Sequence, residues 1–184
     1  MPAIGIDYTA AHEQGAGIGR YVRELVRALA ALDDATPYRL FVAGAQRSAL
    51  PSPPGSNFTW RPTRITLLWF ARLWHRLQSP LPVEAFTGRV KLFHATDFTL
   101  PPTLPGTRTL LTVHDLSFAR APETTTPVLK AYLDAVVPRS VRRATHVLAD
   151  SQATKDDLVE LYRTPPDKIT VLLGGVNPEF KPVA

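Results

Sequence analysis

Short apolar runs alternate along this chain with longer segments in which apolar residues recur every three or four positions. A short run bounded by polar residues predicts a buried strand, and the three-to-four spacing predicts a helix with one apolar face. The runs that predict strands are 3–7, 38–43, 91–95, 107–113, 146–150 and 169–173, with a further short one at 58–60. Strands that alternate with helices predict a Rossmann-like α/β fold, a doubly wound parallel sheet with helices on both faces.

Helical spacing is clearest in four segments of the chain, namely 18–32, 65–77, 127–144 and 152–162. Pro138 lies inside the third segment, so we expect a kink or a break there, because proline lacks a backbone donor and clashes with the preceding turn. Ser151 stands directly before the fourth segment and is placed to cap its helix. The second segment is apolar around much of its circumference, which favours burial or an interface.

The strand predicted at 107–113 ends in two titratable residues, His114 and Asp115. In an open parallel sheet, ligands bind in the crevice beyond the carboxyl ends of the strands. This pair is therefore the first candidate for a functional site. The alternative is that the two residues only begin a turn and cap it locally.

A glycine-rich loop, Gly15, Gly17 and Gly19, joins the first predicted strand to the first long helix. Glycines let a backbone approach a ligand, and the start of a helix favours an anion such as phosphate. The dinucleotide-binding pattern G-x-G-x-x-G would require glycine at Arg20 or Val22, so it fails. The lysine and hydroxyl residue of a P-loop are absent as well, which argues against nicotinamide binding and ATP hydrolysis.

Composition favours one soluble domain of 184 residues with 45% hydrophobic residues and no cysteine, which excludes disulfides and thiolate metal sites. No window is apolar enough to span a membrane, and the N-terminus lacks the pattern of a signal peptide, so a cytoplasmic location is expected. The net charge of +5 arises in segment 61–91, which carries six basic residues against Glu84. Such a segment can meet a membrane surface, a nucleic acid or an anionic substrate, or it can be a solvated helix face.

A metal cluster formed by His94, Asp97, His114 and Asp115 is a further alternative, although no spacing in the sequence enforces it. Histidine and aspartate at strand ends are common in sites without metal. We therefore predict no metal site.

Several motifs occur in a fixed order along the chain: GAGIGRY at 15–21, LFHATD at 92–97 leading to LPP at 100–102, TVHDL at 112–116 followed by PE at 122–123, ADS at 149–151, and KITV at 168–171 leading to GGVN at 174–177. In this order they resemble the N-terminal half of retaining, nucleotide-sugar-dependent glycosyltransferases of family 4 (group 1), which have the GT-B fold. The mannosyltransferase-like enzymes of surface-polysaccharide assembly are the most similar group.

The resemblance implies roles for individual residues. His114 is similar to the family's active-site histidine near the transferred sugar, with Asp115 orienting the end of the strand, so both are candidate catalytic residues. Gly17 and Gly19 resemble the loop whose backbone approaches the donor diphosphate or the acceptor. The full set of candidate substrate-binding residues is Gly17, Gly19, Arg20, Thr96, Asp97 and Ser151.

The resemblance also implies an activity, the transfer of a hexose, with mannose as the specific candidate, from a nucleotide sugar to a glycan or lipid-linked acceptor. No cofactor, no metal and no nucleic-acid partner are expected. The family's donor-binding half has no counterpart in this sequence, so we expect residues 1–173 to be the acceptor-side domain and 174–184 to begin the linker to the C-terminal domain. We expect the isolated domain to be inactive and to bind the donor weakly or not at all. Because lipid-linked acceptors lie at membranes, segment 61–91 is expected to contact the inner membrane face peripherally.

Two other interpretations stay open at this stage. The chain could be a non-catalytic ligand-binding or interaction module with the same fold, or an unrelated doubly wound domain that binds another phosphate ligand.

Overall fold

The computed structural model describes residues 2–15, 17–176 and 180–181, and its centre is a parallel sheet. The strands within these residues are β1 (Ile4–Asp7), β2 (Tyr38–Ala43), β3 (Phe58–Thr63), β4 (Leu92–Ala95), β5 (Arg108–Val113), β6 (His146–Ala149) and β7 (Ile169–Val171). They lie in the order β3-β2-β1-β4-β5-β6-β7, and each neighbouring pair is parallel. The predicted doubly wound α/β fold is confirmed.

The strand order reverses between β1 and β4, because the chain builds the sheet in one direction from β1 and then returns to add β4 on the other side. Crossovers on the two sides of this point leave opposite faces of the sheet, which opens a crevice at the carboxyl ends of the two strands. Asp7 ends β1, and Thr96 and Asp97 follow β4. These residues therefore lie where the fold alone predicts a ligand.

The helices of the described residues connect the strands and cover both faces of the sheet. They are α1 (Thr9–Glu13), α2 (Gly17–Leu32), α3 (Leu67–Phe70), α4 (Glu84–Thr87), α5 (Ser117–Arg120), α6 (Pro127–Arg143) and α7 (Gln152–Tyr162), with a π-helical segment at Ala71–Arg76. Burial on both faces follows from the alternation of side chains along each strand. In β2, Phe41 packs into the core on one face, while Leu40 and Val42 pack into the core on the other.

The segment predicted as one helix over 65–77 is a single α-helical turn followed by the π-helical segment. The wider turn is closed by the Leu77 N–H, which donates to the Arg72 carbonyl at 2.8 Å. Two aromatic rings account for it: Trp74 stacks on Phe70 with ring centroids 4.2 Å apart. The Trp74 indole N–H also donates to the Leu81 carbonyl at 2.9 Å, so the turn is held from both sides.

A kink or a break was predicted at Pro138; helix α6 continues through it to Arg143, so the break does not occur. Proline removes one hydrogen bond, and burial of neighbouring residues on the same helix compensates for the loss. Val137 and Val141 are buried in the core, and the Ser140 hydroxyl accepts a hydrogen bond from the Leu100 N–H at 3.0 Å. Tertiary packing therefore overrides the local cost of proline.

After β7 the described residues 172–176 and 180–181 carry no helix or strand. The domain boundary predicted at residue 173 stays a prediction. Residues 177–179 and 182–184 of the predicted linker, and Ala16 of the glycine-rich loop, lie outside the described residues.

Candidate active site

His114 directly follows β5 and is held by hydrogen bonds at both ring nitrogens. Its Nδ1 lies 2.7 Å from Asp150 Oδ2, and its Nε2 lies 2.9 Å from the carbonyl oxygen of Thr96. A carbonyl and a carboxylate can only accept hydrogen bonds, so both ring nitrogens must donate. The ring is therefore an imidazolium held between a carboxylate and a main-chain carbonyl.

The electrostatics of the site favour this charged form of His114. Burial alone would lower the pKa of His114, since its side chain is only 10% exposed. The hydrogen bond and charge of Asp150, the Thr96 carbonyl and the charge of Asp97 together outweigh burial and raise that pKa. Rings of Tyr21 and Phe98 meet the imidazole edge to face, at centroid distances of 5.2 and 5.5 Å, and fix its plane.

A second histidine on the neighbouring strand has the opposite character. His94 of β4 is buried, and its Nε2 lies 2.8 Å from the Thr112 hydroxyl, which is also 3.4 Å from the Tyr21 hydroxyl. Burial lowers the pKa of His94 to about 4, and the charge of His114 acts in the same direction. The site therefore contains two imidazoles whose pKa values are shifted in opposite directions, as is typical of sites whose environments separate the pKa values of two groups.

A cavity of about 660 Å³ opens at the switch point between β1 and β4. Thr96, Asp97, Asp7 and Glu13 supply polar lining, and Thr96 is fixed by its hydroxyl, which donates to the Asp7 carbonyl at 2.7 Å. The facing wall is apolar and comes from the segment after β3 and from the start of α6: Leu67, Leu68, Leu129, Tyr132 and Leu133. A cavity of this size with few convergent polar groups is the usual form of a small-molecule site.

Two carboxyl groups that line this cavity, those of Asp7 and Asp97, have raised pKa values. Burial raises the pKa of Asp7 to about 6, against the hydrogen bond that its Oδ1 accepts from the Thr9 N–H at 2.9 Å. The negative charges of Asp97 and Glu13 contribute to the same rise. Burial also raises the pKa of Asp97, while the charge of His114 lowers it. His114 thus influences the cavity in two ways: it donates a hydrogen bond to the carbonyl of Thr96, and its charge lowers the pKa of Asp97.

The structure gives the candidate residues of the glycine-rich loop different positions from those of the cavity. Gly17 begins α2 and is exposed, with open space around it. Gly19 is buried, and a Cβ there would lie 2.7 Å from the Ala10 carbonyl oxygen and closer still to that of Gln14. The close packing of α2 against α1 therefore explains why this position is a glycine. Arg20 is exposed and its guanidinium lies 5.8 Å from the centroid of the Phe180 ring.

Asp115 and Ser151 both make local capping contacts. Asp115 is exposed, and its Oδ1 accepts a hydrogen bond from the Ser117 N–H at 2.8 Å, at the start of α5. The Ser151 hydroxyl caps α7 by accepting from the Thr154 N–H at 3.1 Å, and the Thr154 hydroxyl donates to the His114 carbonyl at 3.0 Å. The cap of α7 thus also holds the main chain of His114.

Sequence reasoning missed Asp150, which is the charged partner of His114, although the motif 149–151 contains it. The positions of the strand ends could have predicted the contact between His114 and Asp150. Val113 and Ala149 are register partners in β5 and β6, so the next residue of each strand, His114 and Asp150, must lie side by side. No comparable pattern in the sequence predicts the contacts that Tyr21, Thr112 and Phe98 make at the two histidines.

In the described part of the chain, no three His, Asp or Glu side chains are grouped closely enough to hold a metal ion. None of the described helices has both the length and the apolarity that crossing a membrane would require.

Two comparisons with known proteins bear on the family of this chain. The model of the family described as Glycosyltransferase Family 4 matches residues 15–180. The chain is also 24% identical, over 179 aligned residues, to O-antigen chain mannosyltransferase B of Escherichia coli. That match covers 90% of this chain and 45% of the relative, so the chain spans about half the length of the curated protein it matches.

Proposed function

Because the chain belongs to glycosyltransferase family 4, we propose that it forms the acceptor-side domain of a retaining hexosyltransferase that uses a nucleotide sugar. Residues 1–173 are the domain in this proposal, and the segment from 174 leads towards a donor-binding domain. The acceptor is a glycan or a lipid-linked sugar of polysaccharide biosynthesis. Mannose is the first sugar to test, since the relative from Escherichia coli is a mannosyltransferase by name.

The observation that carries the proposal is the imidazolium of His114 beside the switch-point cavity. Glycosyl transfer from a nucleotide sugar builds negative charge on the leaving diphosphate and positive character on the sugar ring. The pair of His114 and Asp150 supplies polar groups that are already oriented beside the cavity, so they need no reorganisation as these charges develop. Both nitrogens of His114 are already donating, to Asp150 and Thr96, so its role is electrostatic and positional, not that of a general base.

The cavity supports an acceptor with a hydroxyl-rich end and an apolar part. Asp7 and Asp97 can accept hydrogen bonds from sugar hydroxyls, and these charge-assisted bonds also fix orientation. The leucines of the facing wall, Leu67, Leu68 and Leu129, offer an apolar surface to an aglycone or lipid. The two walls therefore favour a sugar acceptor linked to an apolar group.

The experiment that tests the proposal uses the full-length protein and measures sugar transfer from UDP- and GDP-linked hexoses. His114→Ala should lower turnover by about 100-fold, in the range found when one preorganised group of this kind is removed. The matched control is His12→Ala, because His12 is exposed at the end of α1. Turnover that survives His114→Ala would refute the role of His114. A folded protein with no turnover on any donor would instead favour the binding-module interpretation. The chain without a donor-binding domain is expected to be inactive.

We also propose that the enzyme works at the inner face of a membrane, through the exposed side of segment 61–91. Leu68 and Trp69 are 60% and 59% exposed, and the Arg72 guanidinium lies 5.0 Å from the centroid of the Trp69 ring. Apolar side chains beside arginines suit the boundary between anionic headgroups and acyl chains. Reversing two charges, Arg72→Glu with Arg76→Glu, should lower co-sedimentation with anionic vesicles at least tenfold, at about 1 kcal/mol per charge. Equal co-sedimentation of the variant and the unmodified protein would contradict the proposal.

A further inference from the structure

A second cavity, of about 360 Å³, lies between the C-terminal half of α6 and the turn that follows the π-helical segment. Its lining includes the charged side chains of Arg139, Arg142 and Arg143, together with His75. Among the described residues that line it, none is an aspartate or a glutamate. The cavity is therefore a concave surface with positive charge only.

The arginines are arranged in a way that costs stability unless something neutralises them. Arg142 and Arg143 lie three and four residues after Arg139, so all three share one face of α6, and like charges at this spacing repel. No ion pair among the described residues involves any of the three. The surplus positive charge has no counterpart on the protein side of this cavity.

The usual explanation for arginines near a helix C-terminus is that they stabilise its exposed carbonyls. Here Lys168 already does so, since its Nζ donates to the carbonyls of Val141 and Arg142 at 2.8 and 3.0 Å. Arg143 donates to the carbonyls of Leu100 and Pro101 at 3.2 and 2.9 Å, which fixes its guanidinium at the cavity wall. Capping of the helix therefore leaves Arg139 and Arg142 unexplained.

The opposite wall supplies neutral donors in a fixed turn. Gln78 and Ser79 line the cavity, and Gln78 has φ of +49°, a left-handed conformation that residues other than glycine adopt rarely. The Ser79 N–H donates to the Leu73 carbonyl at 2.9 Å, which closes this turn. Gln78 and Ser79 thus line the same cavity as the guanidinium groups, which match the geometry of phosphate oxygens.

We propose that this cavity is a binding site for a phosphate group, held by Arg139, Arg142 and Arg143. The site is separate from the switch-point cavity, and the proposal does not depend on transferase activity. The phosphate can come from a soluble phosphate ester or from an anionic lipid headgroup, because both present the same oxygens to the arginines.

His75 provides a reporter for the site. Burial and the charge of Arg143 lower the pKa of His75 to about 4. Arg143 is the arginine whose charge acts on His75, Arg139 and Arg142 line the same cavity, and the ring centroid of Tyr132 lies 6.2 Å from that of His75. A bound phosphate would offset the positive charge of the arginines, so the pKa of His75 should rise when the site is filled.

The test follows the His75 ring signals by NMR, with calorimetry in parallel, while inorganic phosphate, pyrophosphate or phosphatidylglycerol vesicles are added to the purified protein. The double variant Arg139→Gln with Arg142→Gln should weaken binding at least tenfold. The matched control, Arg47→Gln with Arg108→Gln, removes two exposed charges elsewhere and should bind as the unmodified protein does.

The outcomes separate the two sources of phosphate. Saturable shifts with soluble phosphate, lost in the double variant, support a site for a soluble ester. Shifts only with phosphatidylglycerol vesicles, absent with phosphatidylcholine and lost in the double variant, support a headgroup site. No shift with any probe, or equal weakening in the double variant and the control, would overturn the proposal.

Discussion

Replacing Asp150 by asparagine tests the central geometry of the candidate active site. The substitution keeps the shape of the side chain and an oxygen that can accept from His114 Nδ1, but it removes the negative charge. The pKa of His114 should therefore fall, because the hydrogen bond and charge of Asp150 are the main causes that raise it against burial. The amide group adds a second difficulty, since Asp150 Oδ1 is buried and has no hydrogen-bond partner among the described residues. An amide N–H at that position would be unpaired.

The expected loss in the free energy of unfolding can be bounded from the contacts. A hydrogen bond to a charged group contributes about 1.5–3 kcal/mol, and breaking a fully buried ion pair costs about 3–5 kcal/mol. The His114 side chain is 10% exposed, but that of Asp150 is 32% exposed, so solvent screens part of the interaction. We therefore expect Asp150→Asn to lower the free energy of unfolding by about 2 kcal/mol at pH 5.5.

The sign of the pH dependence follows from the raised pKa of His114. A histidine whose pKa is raised in the folded state contributes stability that is fully present below its unfolded pKa of 6.5 and is lost as the pH rises through the folded pKa. The difference between the variant and the unmodified protein should therefore be largest near pH 5.5 and smaller near pH 9. Titrations of other groups, such as Asp7, occur in both proteins and cancel in this difference.

Urea unfolding at pH 5.5 and pH 9, together with an NMR titration of His114, measures both quantities. Asp115→Asn is the matched control, because Asp115 is exposed and accepts from the Ser117 N–H, a contact that asparagine can keep. The control should change neither the pKa of His114 nor its pH-dependent stability. An unchanged pKa of His114 in Asp150→Asn, or a loss of stability that is the same at both pH values, would refute the reasoning.

Two further perturbations test the switch-point region. Gly19→Ala should lower the free energy of unfolding by about 1–3 kcal/mol, because its Cβ would collide with the carbonyls of Ala10 and Gln14. The control Gly17→Ala, at an open position, should leave the free energy of unfolding unchanged. Equal denaturation midpoints for the two variants would contradict this packing. Asp7→Asn should stabilise the protein at pH 7 by about 1–3 kcal/mol and leave it unchanged at pH 3, because a carboxyl whose pKa is raised to about 6 loses stability as the pH rises from 3.8 through 6. Urea unfolding of Asp7→Asn at the two pH values measures this, and stabilisation at pH 3 as well as pH 7 would show that charge is not the cause.

The elements with a strong local period could be predicted from the sequence, and those decided by tertiary contacts could not. Strands such as β2 (Tyr38–Ala43) are recovered with their bounds, because continuous apolar runs suit strands that are buried on both faces. The π-helical turn could not be predicted, since it depends on the stacking of Trp74 against Phe70. Likewise, the uninterrupted path of α6 through Pro138 depends on the burial of its neighbours.

The glycine-rich loop shows how one sequence signal can have two physical causes. Glycine permits the approach of a ligand, and it equally permits the approach of another segment of backbone. The sequence cannot separate these, because both require only a missing Cβ. At Gly19 the structure shows the second cause, the carbonyls of α1. Anion binding at the start of α2 therefore stays a prediction, and Gly15 and Gly17 are the glycines of the loop with open space around them.

The part of the candidate site that the strand ends define could be predicted from the sequence. In a parallel sheet, the residues that follow adjacent strands lie along one edge, so a sequence that predicts the strands also predicts which polar residues meet. His114 and Asp150 follow neighbouring strands whose last residues, Val113 and Ala149, are partners in register. Asp115 is one position further on and turns away to bond the Ser117 N–H. From the sequence, His114 was considered together with its chain neighbour Asp115 and not with the residue that follows the adjacent strand, so Asp150 was missed. The register of β5 and β6 places Asp150, and not Asp115, beside the imidazole ring of His114.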